Sequence, residues 1–322
     1  MAKSTPDAEE AEEAAGGDAG DADDDEEAGH AGDESPQEES EDEDRDVRMS
    51  HLIPSYPFPA DFHLEFQDSR IEVCRHLCQR HPRGTRAVAL FFPGVHGGVG
   101  PCRQPGENFD DAALYPTVAR GLVGACDADV DCYRCSWPHM RPQMSYAVGG
   151  VCRVLHHALL EAMRGTAPEE GDRELRVILV GHSLGGAVAI QAAEVVARHF
   201  GPDGSGGQQM EGLEHAVVRV AGICTLNGAL DVRKQQGADP FASLSGSRAL
   251  VICGDADDVV PPEATERLHE ALPMREKRQL VLPGGTHDLF TFKAQLVEEL
   301  TRFVLDSLGG EDVPVTEASG EG

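Results

Sequence analysis

The stretch that most limits how this chain can fold is Gly181-His182-Ser183-Leu184-Gly185-Gly186. It follows a short apolar, β-branched run, Arg176-Val177-Ile178-Leu179-Val180, and precedes Ala187 to Val196, which reads as a helix. A strand that passes into a helix through so few residues must turn sharply. A side chain at Gly181 or Gly185 would collide with the packed strand or helix. Such a turn lifts the Ser183 hydroxyl above the sheet edge and aims the amino end of the helix at it.

The rest of the chain alternates in the same way. Ile71 to Leu77 sets Ile71, Val73 and Leu77 against Glu72, Cys74 and His76, the period of a strand. Ala87 to Phe92 is wholly apolar, as a strand covered on both faces requires. Further strands read at Asp129–Cys135, Val217–Leu226, Arg248–Cys253 and Arg278–Leu282, and helices at Leu114–Leu122, Tyr146–Met163, Pro262–Leu272 and Leu289–Leu308. Strands alternating with helices predict an α/β fold, a mostly parallel central sheet with helices on both faces. Functional groups then belong on loops at the carboxyl ends of the strands.

Charge divides the chain. Its formal net charge is −30 over 322 residues; residues 1–50 hold 21 acidic and 3 basic side chains, net −18, leaving net −12 for the remainder. Residues 1–49 have almost nothing apolar to bury and are expected to be a disordered acidic tail. Residues 309–322 read as a second such tail, and residues 50–308 as one α/β domain with a full core. The acidity argues against nucleic-acid binding and against adsorption to anionic membranes; it leaves room for a basic protein partner of the tail. The amino terminus lacks the apolar region of a secretory signal, and no apolar run is long enough to span a bilayer. The nine cysteines are scattered, and Cys132-x-x-Cys135 has no second pair at zinc spacing, so all are read as reduced thiols. These features suit a soluble cytoplasmic protein with no metal and no cofactor.

A serine hydroxyl is a poor nucleophile at neutral pH and needs a base, whose tautomer in turn needs fixing. Two later segments offer both. Leu250 to Cys253 delivers Gly254-Asp255-Ala256-Asp257-Asp258-Val259-Val260-Pro261, and Leu280 to Leu282 delivers Pro283-Gly284-Gly285-Thr286-His287-Asp288. With the Gly-x-Ser-x-Gly turn, these segments resemble the serine-dependent α/β-hydrolase superfamily over residues 60–308. Members commonly read Gly-x-x-Asp-x-x-Val-Pro at the acid, which selects Asp257 over Asp255 and Asp258; Asp231 is a second candidate. The resemblance makes Ser183 the nucleophile, His287 the base and Asp257 its partner. It makes the Leu184 backbone N–H one oxyanion donor. The second donor falls in Pro93-Gly94-Val95-His96-Gly97-Gly98: Val95 in one register, His96 or Gly97 in another.

What the resemblance implies is acyl transfer from a carboxylic ester or thioester through an acyl-enzyme. Ser183 excludes the members that use an aspartate nucleophile. About two dozen residues separate Leu226 from Arg248, too few for a helical cap, so no sizeable lid and an open, shallow site are expected. His96, Arg103 and Trp137 are candidate walls of the substrate pocket, although packing at a strand end serves equally for Trp137 and a solvated loop position for Arg103. The other reading of the chain is a catalytically silent scaffold of the same fold whose acidic tail recruits a partner; a complete Ser, Asp, His set argues for the enzyme.

Overall fold

A computed structural model describes residues 60–67, 69–78, 87–95, 100–102, 113–124, 129–136, 143–164, 173–201, 211–228, 230 and 241–309. All belong to one compact unit, Ser55–Gly322. Residues 1–59 and 310–322, together with His96, Arg103, Asp231 and Trp137, lie outside the described residues.

Eight strands form one sheet: β1 (Phe62–Phe66), β2 (Ser69–His76), β3 (Ala87–Phe92), β4 (Val130–Ser136), β5 (Arg173–His182), β6 (Ala216–Leu226), β7 (Arg248–Gly254) and β8 (Glu276–Leu282). Their spatial order is β1-β2-β4-β3-β5-β6-β7-β8. The β1–β2 and β2–β4 pairs are antiparallel and all others are parallel. Among the described residues five helices cover it: α1 (Leu114–Gly124), α2 (Met144–Met163), α3 (Leu184–Phe200), α4 (Pro262–Ala271) and α5 (Lys293–Ser307).

The two faces of the sheet explain the sequence pattern. Along β3, Val88, Leu90 and Phe92 join the core beneath α2 and α3, while Ala87, Ala89 and Phe91 join the core beneath α1 and α5. Val177 and Leu179 against Ile178 and Val180 divide β5 the same way. A central strand with apolar layers on both sides loses its polar alternation and reads as a solid apolar run.

Three local readings are corrected. β1 is an addition to the expected strands, although Phe62, Leu64 and Phe66 alternate with His63 and Glu65; as an edge strand it is only half covered. β5 runs past Val180 to His182, so the turn begins at Ser183 itself. The last helix starts at Lys293 and not at Leu289. Leu289 adopts φ 52° and is fully buried, and a 3₁₀ turn at Phe290–Phe292 precedes α5. Seating Leu289 in the core turns the chain away from helix just after His287.

Residues 227–247 join β6 to β7, and their described part adds no lid. Phe241 and Leu244, around a 3₁₀ turn at Ala242–Leu244, pack into the core on the α3 side. Ser183 stays half-buried. Among the described residues no helix is long and apolar enough to cross a membrane, and no cluster of side chains is arranged to hold a metal ion.

Candidate functional site

Ser183 stands between β5 and α3 with φ 54° and ψ −120°, a conformation a serine keeps only when the surrounding packing enforces it. The enforcement is visible in the flanking glycines. A Cβ on Gly181 would lie 1.9 Å from the Gly185 carbonyl oxygen, and one on Gly185 would lie 2.4 Å from the Pro93 carbonyl oxygen. The Ser183 N–H donates to Leu226 O on β6 at 2.9 Å, which fixes the turn against the neighbouring strand.

Asp257 and His287 meet at the carboxyl ends of β7 and β8. His287 Nδ1 lies 2.9 Å from Asp257 Oδ2 and 3.1 Å from Oδ1. The Asp257 side chain is fully buried, and its Oδ1 also accepts from the backbone N–H groups of Val259 at 2.8 Å and Val260 at 2.9 Å. Val259-Val260-Pro261 therefore wraps back to hold the carboxylate. With Nδ1–H donating to Asp257, neutral His287 carries its lone pair on Nε2, the tautomer a base requires. Asp255 serves elsewhere, since its Oδ1 accepts from Gly284 N–H at 2.5 Å and fastens the turn after β8. Asp258 is exposed.

His182 and Asn227 join these parts, and the sequence motifs point to neither of them in this role. His182 is buried, and its Nε2 lies 2.9 Å from the His287 carbonyl oxygen, with the two rings 4.9 Å apart. Asn227, fully buried at φ 45°, donates from Nδ2 to the same oxygen at 2.8 Å and to Thr286 O at 3.0 Å. Its Oδ1 accepts from Gly254 N–H at 2.8 Å. One amide thus ties the ends of β6 and β7 to the histidine loop. Through His182, the residue before Ser183, the same loop is tied to the serine turn. No hydrogen bond joins Ser183 Oγ to His287 among the described residues; such contacts are often long until substrate is bound. Cys102 braces the loop from outside: its N–H donates to Asp288 O at 2.9 Å and its Sγ to Leu289 O at 3.1 Å.

The oxyanion candidates sit beside Ser183. Leu184 opens α3, so its N–H belongs to the first turn, where no intrahelical acceptor exists. The loop after β3 passes close by: a Cβ on Gly94 would lie 3.2 Å from Ser183 Cβ and 3.6 Å from Ser183 Oγ. Val95 is the next residue and is half-buried.

This sheet order, with a serine turn after the fifth strand and the acid and histidine loops after the seventh and eighth, is the α/β-hydrolase fold. No protein-family model matches the sequence, and no curated protein matches it. The likeness to solved structures is one of fold. Est1E from Butyrivibrio proteoclasticus superimposes with a TM-score of 0.51 over 77% of this chain and 99% of its own, at 12% identity. The same protein with ferulic acid bound gives a TM-score of 0.51 at 13% identity, over 77% of this chain and 100% of its own. An Agrobacterium tumefaciens protein of unknown function, grouped with the α/β hydrolases, gives 0.50 at 14% identity over 79% and 98%.

Proposed function

We propose that this chain is a serine hydrolase cleaving carboxylic ester or thioester bonds through an acyl-enzyme. The observation that carries the reading is the pairing of buried Asp257 with half-buried His287, held by backbone donors on one side and anchored through His182 to the turn that bears Ser183. Ser183 Oγ attacks the acyl carbon while His287 Nε2 takes its proton. Asp257 stays ionised and stabilises the imidazolium. The proton passes to the departing alcohol or thiol. Water, deprotonated by the same nitrogen, then attacks the acyl-serine and releases the acid.

Developing charge on the substrate oxygen is met by the N–H groups of Leu184 and Val95. A single such donor is worth about 10²–10³ in rate. The fold neighbour that holds ferulic acid supports a small carboxylic acyl group as substrate, and the short β6–β7 connection supports a site open to solvent.

The test is intact-mass analysis after exposure to a fluorophosphonate, which needs only an activated serine and an oxyanion hole. One adduct on the parent chain, absent from Ser183→Ala and strongly slowed in His287→Ala, is the expected result. A folded parent that takes up no adduct would overturn the enzyme and leave a binding protein of the same fold.

A further inference from the structure

The opposite end of the sheet carries a second feature. Arg176 near the start of β5, Arg219 on β6, Arg248 at the start of β7 and Arg275 just before β8 surround a cleft of about 240 Å³. Ser183 lies seven positions beyond Arg176 along β5, roughly 23 Å at ~3.3 Å per residue, so the cleft is distinct from the proposed catalytic site.

We propose that this cleft binds a small polyanion with two adjacent phosphoryl groups. In a chain of net charge −30, four guanidinium groups converge here, and among the described residues their carboxylate partners are two. Glu174 is shared, at 2.8 Å from Arg176 Nε and 3.5 Å from Arg219 Nε, and Glu276 lies 2.8 Å from Arg248 Nη2. Arg275 makes no ion pair among the described residues. The cleft keeps a surplus of two positive charges.

Arg176 and Arg219 are directly opposed on adjacent parallel strands. Like charges in that position destabilise a sheet unless something neutralises them, and one shared, exposed carboxylate does so only in part. A bound dianion would complete it.

Donor geometry and size set the class of ligand. Each guanidinium is a planar fork suited to bidentate contact with phosphate oxygens. Arg176 spends Nε on Glu174 and Nη1 on Leu308 O, which fixes its plane. Arg275 is an uncommitted fork, and Arg219 is held only at 3.5 Å, so both can turn to a ligand. The far wall includes Gly246, where a Cβ would meet nothing within 4 Å, so the approach is unobstructed. The volume lies below the ~300 Å³ at which pockets for larger organic ligands begin.

The experiment is calorimetric titration of the full chain with inorganic pyrophosphate, with orthophosphate as comparison, at physiological ionic strength. The expected result is saturable one-to-one binding with a Kd below about 1 mM, weaker for orthophosphate. Binding should weaken at least tenfold in Arg219→Ala/Arg275→Ala, while fluorophosphonate labelling of Ser183 is unchanged. Arg275→Glu, on an exposed turn, gives the same answer should the double variant fold poorly. Absence of saturable binding by the parent, or equal binding by parent and variants, would overturn the proposal.

Discussion

Raising the pH from 8 to 10 should cost this domain a large part of its stability, and the buried thiols set the scale. Five thiols, those of Cys102, Cys132, Cys135, Cys152 and Cys224, are pushed up from the ordinary 9.0, in each case chiefly because burial penalises the thiolate. Cys152 rises to about 11 and Cys102 and Cys135 to about 12. At pH 10 the folded chain therefore keeps nearly all five protonated. The unfolded chain does not: a free thiol of pKa 9.0 goes from about one-tenth to nine-tenths ionised over this interval. The sign follows. A group whose folded pKa is raised contributes stability that is present below its unfolded pKa and lost as the pH rises. The loss is roughly 1 kcal/mol per thiol between pH 8 and 10, several kcal/mol for the five together, against a total domain stability of about 5–15 kcal/mol. Tyr115 and Tyr133, also raised by burial, add to the same trend above pH 10. Urea unfolding followed by circular dichroism under reducing conditions measures it directly. Cys224→Ala should shrink the difference between pH 8 and 10 by roughly 1 kcal/mol. A stability that changes by less than about 2 kcal/mol over this interval would refute the burial argument.

Further expectations concern backbone and site. Gly181→Ala places its Cβ 1.9 Å from a backbone oxygen and should destabilise the fold by more than about 4 kcal/mol, whereas Gly121→Ala, in α1 with open space around it, should stabilise by about 0.5–1 kcal/mol; thermal unfolding of both variants decides this. Asn227→Asp keeps the acceptor for Gly254 N–H but sets carboxylate oxygen against the carbonyl oxygens of Thr286 and His287. It should cost about 3–5 kcal/mol at pH 8 and less at pH 5, where protonation restores a donor, and unfolding at the two pH values should show the difference. In native protein at pH 8, Cys102 and Cys135 should resist iodoacetamide while unfolded chain reacts at both, as peptide mapping would reveal.

The sheet and most of its elements were legible because central strands covered on both faces leave an unmistakable apolar record, as at Ala87–Phe92 and Val177–Val180. The edges were less so. β1 contributes five residues and is half covered, so its alternation of Phe62, Leu64 and Phe66 carries a weak signal, and its packing on Gly149 and Gly150 of α2 is a contact between distant segments. The start of α5 is misplaced in the sequence for a related reason: Leu289 continues the apolar period of the helix, yet its burial fixes the loop before the helix and not the helix itself.

Ser183, Asp257 and His287 could be selected because each follows a recognisable strand inside a short motif. Asn227 could not, because its importance arises from strand order. Only with β6 lying between β5 and β7 does the residue that follows β6 face both the Gly254 amide and the histidine loop. A faint signal existed: Asn227 is one of two asparagines in the chain, and it stands in an Asn-Gly pair directly after an apolar strand, where a positive φ is expected. The consequence is mechanical. The His287 ring is aimed by Asp257, but its backbone is placed by two donors on one carbonyl oxygen, His182 from the serine turn and Asn227 from β6. Aim and placement thus come from three different strand ends. A substitution at His182, Asn227 or Asp257 should therefore shift the histidine relative to Ser183 while leaving both of those residues in the sequence.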